Sequence, residues 1–342
     1  MGNNIMLLEG CNLSCPYCFA SKYVQGSDKG VITIENFKKA LDFILKTDNY
    51  IGLIGGEPTL HPKFEEILKI VLDERRLEHA TLFTNGVVMK KYVPLLSHEK
   101  IHLLVNVNSP KDIGQDRYNK IIEGLDDLIV NHYKKNVSLG INLYSNNMDI
   151  DYIVELLQRY NLKSLRVAIV VPPESERKKI NVIDYYKSMM PIFMKLTRKL
   201  YEIKVVPNLD CTGLPKCVPT PEETEFLKKF WELEKDTGGY CNILDGHSCG
   251  AVVDIDTKLN AVRCFGMSNH DVVSISQFNN VKELKDYFNN TVEGIARNIP
   301  ASPQCLQCSE FLTKRCGGGC LAFRSDKIKK AREMIVNNFK VV

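Results

Sequence analysis

The chain alternates short apolar runs with stretches in which apolar residues recur every three or four positions. The first run, Ile5 to Leu8, is followed by Phe37, Leu41, Ile44 and Leu45 at helical spacing behind Thr33, whose hydroxyl suits an N-cap. Further runs at Ile51 to Ile54, Ala80 to Thr84, Ile101 to Val107, Val137 to Leu143 and Leu165 to Val171 predict strands. Helices fall between them, one of which carries Tyr118, Ile121, Ile122, Leu125 and Ile129. Six strand–helix units result by about residue 201. This alternation predicts an α/β fold with a parallel sheet, helices on its outer face, and functional groups at the strand C-termini.

Beyond residue 202 the rhythm breaks. Pro207, Pro215, Pro219 and Pro221 crowd a segment carrying Cys211 and Cys217, and a helical stretch around Thr224 to Lys235 follows. Ala251 to Asp256 and Val262-Arg263 read as a hairpin, with Cys249 and Cys264 at its open ends. In the tail, Ile328, Ala331, Ile335 and Phe339 share one helical face and predict a helix docked on the core. The expected domains are therefore 1–206, a cysteine-rich 207–326, and a docking helix over 327–342.

Composition allows a sizeable core in one larger and one smaller domain, with 44% hydrophobic residues among 342. The 45 basic and 41 acidic residues are too balanced to predict nucleic acid or a membrane surface as partner. No signal peptide is recognisable, and no apolar run approaches the about 18 residues of a membrane span, so a cytoplasmic location is expected. Twelve cysteines in such a chain point to metal rather than disulfides.

Cys11, Cys15 and Cys18 stand in a tight run directly after the first strand. A four-iron cluster takes four thiolates, so a run of three leaves one iron for another ligand; a zinc knuckle is the alternative. Gly55-Gly56-Glu57-Pro58 follows the second strand. Its glycines permit close backbone approach, Glu57 offers an acceptor to an ammonium group, and Pro58 fixes the turn. Weaker candidates lie at other strands: Asn85-Gly86, Asn106, Asn108, Ser109, Asn142 and Arg166. Asn85-Gly86 equally fits an ordinary turn, and Arg166 a surface charge. Cys305 and Cys308, then Cys316 and Cys320 around three glycines, have spacing that suits either zinc or an iron–sulfur cluster.

The three-cysteine run, with Tyr17 before its last member, and the Gly-Gly-Glu-Pro segment resemble the radical SAM enzymes. The resemblance implies a partial (βα)6 TIM-like barrel with a [4Fe–4S] cluster on Cys11, Cys15 and Cys18. Its open iron would take the amino and carboxylate end of S-adenosylmethionine, cleaved to a 5′-deoxyadenosyl radical that abstracts hydrogen from substrate. It also implies that Gly55 to Pro58 binds the cofactor's amino group, and that Asn85, Asn108, Ser109, Asn142 and Arg166 approach the rest of it. The later cysteines resemble the SPASM or Twitch extension, which holds one or two auxiliary [4Fe–4S] clusters. Two departures stand out: the gap from Cys308 to Cys316 is long, and no cysteine follows Cys320. The ligands expected are Cys211, Cys217, Cys249, Cys264, Cys305, Cys308, Cys316 and Cys320, with Cys241 left over; the alternative is Cys241 as a ligand with Cys211 or Cys217 free.

Within that family the expected function is modification of a ribosomally made peptide or protein side chain by crosslink, thioether, epimerisation or oxidation. The alternatives are a dehydrogenase, epimerase or maturase acting on a sugar or other small molecule, and a non-catalytic iron–sulfur sensing protein. Because the cluster motif starts at residue 11, a leader-peptide-binding protein would be a separate partner, beside an electron donor such as flavodoxin or ferredoxin.

Overall fold

The computed structural model describes residues 2–18, 30–210, 213–238, 240–246, 249–268 and 270–339. Cys211 lies outside them. The chain forms two compact units, Met1–Gly140 with Val252–Asp286, and Ile141–Ala251 with Tyr287–Val342.

In the first unit, parallel strands β1 (Asn3–Met6), β2 (Tyr50–Ile54), β3 (His79–Thr84) and β4 (Ile101–Asn106) follow one another in space as in sequence, and Val137 to Gly140 of β5 (Val137–Leu143) pairs with β4. Helix α1 (Ile34–Leu45) is capped by Thr33, whose hydroxyl accepts from Asn36 N at 3.1 Å, and it buries Phe37, Leu41, Ile44 and Leu45. Helices α2 (Phe64–Asp73) and α3 (Gln115–Leu125) cover the next connections. Ile129 falls beyond α3, in a wider π-type turn over Asp126–Asn131. These strands form where the apolar runs predict them, because buried parallel strands read as nearly continuous apolar sequence.

The expected hairpin forms as β8 (Val253–Ile255) and β9 (Asn260–Val262), extended by the short β10 (Val273–Ser274). It does not belong to a separate cysteine-rich body. β8 lies parallel to β1 and gives the order β10-β9-β8-β1-β2-β3-β4, with Asn4 opposite Asp254. The physical reason is the edge: β1 would otherwise present unpaired backbone groups. Asn4 Nδ2 donates to Asp254 Oδ1 at 2.7 Å, and Asp254 Oδ2 accepts from Phe265 N at 2.8 Å.

In the second unit, β6 (Ser164–Ile169) pairs in parallel with β7 (Val206–Leu209), a strand that the prolines conceal in the sequence. Pro207 sits inside it, and the boundary expected between 206 and 207 therefore falls within a strand. Helix α4 (Asp151–Arg159) precedes β6, and the long α5 (Val182–Glu202) follows it, with Pro191 inside. Asn146 replaces the helical bond that this proline disturbs: its Oδ1 accepts from Ile192 N at 3.2 Å and its Nδ2 donates to Ser188 O at 2.8 Å. Helix α6 (Pro221–Thr237) begins with a capping box between Thr220 and Glu223, a signal already written in Thr-Pro-Glu-Glu. The final helix α7 (Ser325–Phe339) buries Ile328 but leaves Met334 and Ile335 exposed, so Ile335 does not join the expected docking face. Among the described residues no helix is long and apolar enough to cross a membrane.

Candidate functional site

The loop after β1 and the loop after β2 are zipped together by their backbones. Leu7 N donates to Ile54 O at 2.8 Å, Gly56 N to Leu8 O at 2.9 Å, and Glu57 N to Gly10 O at 2.8 Å. A side chain at Gly55 would put Cβ 2.5 Å from Leu8 O, and at Gly56 2.2 Å from Gly10 O. The glycines therefore let the cysteine loop itself approach, a requirement the sequence reading had placed on a ligand.

Cys11, Cys15 and Cys18 are half-buried and close enough to act on one another's charge. Burial pushes the Cys15 thiol up to about 11, and the Cys11 thiol in the same direction. Donors surround the sulfurs: Leu13 N lies 3.4 Å from Cys11 Sγ, Asn85 Nδ2 3.8 Å from Cys11 Sγ, Asn108 Nδ2 3.7 Å from Cys15 Sγ, and the Tyr17 side chain hydrogen-bonds Cys15. Such donors are what thiolates bound to a cluster need. The residues fit a three-thiolate cluster: three grouped sulfurs, ringed by amide and hydroxyl hydrogens.

Glu57 is buried, and its carboxylate already receives four donors from the chain. Oε1 accepts from Thr59 N at 3.2 Å, Thr59 Oγ1 at 2.6 Å and Thr84 Oγ1 at 2.6 Å; Oε2 accepts from Asn85 N at 2.7 Å. Burial raises its pKa and these bonds oppose the rise. Pro58 opens the helical turn Pro58–Leu60, which Glu57 caps. Asn85 is thereby held from behind while its amide reaches Cys11 and, at 2.8 Å, Asn12 Oδ1. Asn85-Gly86 is both turn and site, since Gly86 takes φ +79°. Ser109 serves as the N-cap of the short helix Pro110–Ile113, accepting from Asp112 N at 3.3 Å. Thr59 and Asn12 are site residues that no signal in the sequence singles out, and Thr84, which adjoins Asn85-Gly86 at the end of β3, joins them through Glu57.

In the second unit, Asn142, Arg166 and Asp210 form one polar group at the ends of β5 and β7 and within β6. Arg166 Nε donates to Asp210 Oδ2 at 3.0 Å and Nη1 to Asn142 Oδ1 at 2.6 Å. Arg166 is mostly buried there, not a loose surface charge.

The later thiols divide. Cys217, exposed, feels the charges of Cys316, Cys305 and Cys308. Cys320 and Cys249 act on the fully buried Tyr186, whose hydroxyl accepts from Cys320 N at 3.2 Å. Cys241 is buried and pushed up to about 11 by that burial; the charges acting on it are those of Glu234 and Asp245. Cys264 follows β9 in the first unit. Among the described residues no three thiol, imidazole or carboxylate groups converge as ligands of a single metal ion.

Residues 5–159 match the model of the radical SAM superfamily. "Probable GTP 3′,8-cyclase" of Methanococcus aeolicus is 25% identical over 214 residues, 59% of this chain and 64% of its own length. "GTP 3′,8-cyclase, mitochondrial" of Arabidopsis thaliana is 29% identical over 152 residues, 40% of this chain and 39% of its own. The chain thus spans between about two-fifths and two-thirds of these relatives. Among solved structures, anSMEcpe with bound AdoMet and Kp18Cys peptide has a TM-score of 0.65 at 18% identity, covering 98% of this chain and 99% of that one. Streptococcus suis SuiB bound to S-adenosylmethionine has a TM-score of 0.60 at 17% identity, covering 94% and 73%. The last two are likenesses of fold. The matched span holds the cysteine run and the Gly-Gly-Glu-Pro segment, so residues 5–159 carry a radical SAM domain, and the cofactors of that family are a [4Fe–4S] cluster and S-adenosylmethionine.

Proposed function

We propose that the chain modifies a peptide or protein side chain by hydrogen abstraction, with Cys11, Cys15 and Cys18 as ligands of the radical-generating cluster. The observation that carries this reading is coverage. The likeness to anSMEcpe with its bound peptide runs over 98% of the chain and includes the late cysteines, whereas the curated relatives match 59% and 40% of it.

When bound, the cluster supplies the electron that cleaves S-adenosylmethionine. The chain's own residues prepare for that step. Asn85, Asn108, Tyr17 and the Leu13 amide direct hydrogens at the sulfurs of Cys11 and Cys15, which favours the more negative, reduced state. Glu57 is a positioning residue, fixing Thr84 and Asn85 behind the thiols. The carbonyls of Gly55 and Gly56, in the half-buried part of the Gly55 to Pro58 segment, take the cofactor's amino end. Asn142 and Arg166, held by Asp210, offer a donor group for a carboxylate or a ribose. The reductant is a flavodoxin or ferredoxin, and the compartment is the reducing cytoplasm.

The names of the curated relatives favour a second reading, in which the substrate is GTP. One experiment separates the two. Anaerobically reconstituted protein with S-adenosylmethionine and dithionite is given either a tryptic peptide mixture from its own host or GTP, and 5′-deoxyadenosine and product masses are followed. Peptide-dependent turnover with a mass change in a peptide is expected. Stimulation by GTP with a new nucleotide product, and none by peptides, would replace the first reading by the second.

A further inference from the structure

Cys305, Cys308 and Cys316 supply three thiolates, one short of the four that a closed four-iron site takes. The fold brings a fourth from upstream. Lys216 Nζ pairs with Glu310 Oε2 at 3.0 Å, and Glu310 Oε1 holds Arg315 Nη2 at 2.8 Å. Glu310 O also accepts from Cys316 N at 3.0 Å, so one residue holds both the Lys216 turn and the start of the glycine loop. On the other side Gly246, at φ +65°, accepts from Gly317 N at 3.1 Å. A Cβ at Gly246 would lie 2.7 Å from Lys216 Cε and 3.2 Å from Arg315 O, so this glycine lets the lysine stem lie against the loop. Cys217 is the next residue. Its thiol is near enough to Cys316, Cys305 and Cys308 for their charges to act on it, and Gly318 N points at Cys316 Sγ at 3.4 Å.

A buried cation marks the same place. Arg324 is 2% exposed, and it donates through Nη1 to Ile299 O at 2.6 Å and through Nη2 to Gly317 O. Its Nε has no partner, and the anions nearest it are the sulfurs of Cys320, Cys305 and Cys316. A buried guanidinium needs compensating negative charge. Neutral thiols do not supply it; an iron–sulfur cluster with four thiolates, anionic as a whole, does.

We infer that Cys217, Cys305, Cys308 and Cys316 form one closed four-thiolate site for a [4Fe–4S] cluster, with Cys217, from the turn before α6, as the fourth ligand. Cys320 belongs to the other auxiliary group, with Cys249 beside Tyr186, and the single charge of Arg324 offsets part of the negative charge of each. With every corner filled by protein the distal cluster has no open iron, so it relays electrons and binds no second S-adenosylmethionine. This rests on reading the late cysteines as auxiliary-cluster ligands.

The test uses the full chain carrying Cys11→Ala, Cys15→Ala and Cys18→Ala, reconstituted anaerobically with iron and sulfide. Adding Cys217→Ala should remove between about one and about four irons, as one corner opens or the whole cluster is lost. Adding Cys241→Ala should remove none. In the unsubstituted protein, reconstitution should also shield Cys217 from alkylation, read by peptide mass spectrometry, although its thiol is exposed without the cluster. If Cys217→Ala keeps all iron while Cys305→Ala loses it, and Cys217 stays open to alkylation, the assignment of Cys217 is overturned alone. A parent variant that holds no iron overturns the auxiliary-cluster reading, and the inference with it.

Discussion

The two thiol groups are built on opposite electrostatic plans. Around Cys11, Cys15 and Cys18 the sulfurs meet neutral amide and hydroxyl hydrogens, and the buried charge behind them is the Glu57 carboxylate. Around Cys305, Cys308, Cys316 and Cys320 the buried charge is the Arg324 guanidinium, with Lys216 and Arg315 gathered by Glu310 at the rim. On the proposed reading, a site that leaves one iron open for S-adenosylmethionine, whose sulfonium is itself cationic, gains nothing from a competing cation. On the inference above, a site closed by four thiolates is anionic as a whole and gains from one.

The comparison breaks most sharply if the groups are not independent. Joint replacement of Cys11, Cys15 and Cys18 by Ala should abolish reductive cleavage of S-adenosylmethionine while about eight irons, two clusters of four, stay bound. Undiminished 5′-deoxyadenosine production would show that the open iron lies elsewhere. Glu57→Ala comes next, because it strands two hydroxyls and two backbone N–H groups in a dry interior. We expect a loss of about 3–5 kcal/mol in denaturant unfolding, together with iron loss at the first group alone. A change under about 1 kcal/mol would mean the carboxylate organises nothing.

Asp254 tests the acidic plan through pH. Its buried carboxyl is pushed up from 3.8 to about 6, chiefly by burial, against the bonds from Asn4 and Phe265 and the charge of Arg263. The folded state therefore holds a proton that the unfolded chain has released, and stability falls as pH rises from about 4 through 6, by about 2–3 kcal/mol. Asp254→Asn should flatten that slope in unfolding measurements across the same range; an identical slope would place the titrating group elsewhere. Gly56→Ala drives a methyl group into Gly10 O, a backbone atom that cannot step aside, and should cost about 1–3 kcal/mol and empty the first group of iron before the second. Lys216→Ala sets the lower end: its ion pair is partly solvated, so stability should change by less than about 1 kcal/mol, and any iron lost should come from the distal group.

Much of the first unit could be read from the residues because local chemistry decides it. Buried parallel strands are unbroken apolar runs, and Val137–Leu143 forms as the run predicts. The Thr33 cap is equally local. What stayed hidden depends on partners far along the chain. Pro207 argues against a strand until one sees that β7 pairs on one side, with β6. The partner of β1 is chosen by an open edge, which no periodicity records. Arg324 and Tyr186 look like any surface arginine and core tyrosine until Cys320 is beside them. Gly55 and Gly56 have a second neighbour that the motif alone does not show: the oxygens they admit closest belong to Leu8 and Gly10.

The seat of β8 beside β1 has a further consequence for biogenesis. Asn4 emerges early from the ribosome, but the carboxylate it bonds lies 250 residues later. Throughout most of synthesis the first strand, and the cysteine loop that hangs from its end, must wait with one flank unpaired. So distant a closure is slow and leaves a sticky edge exposed meanwhile. On the proposed assignment of Cys11, Cys15 and Cys18 to the cluster, iron would therefore enter late, and a product truncated before Val253 would carry the whole cysteine run without the strand that flanks β1.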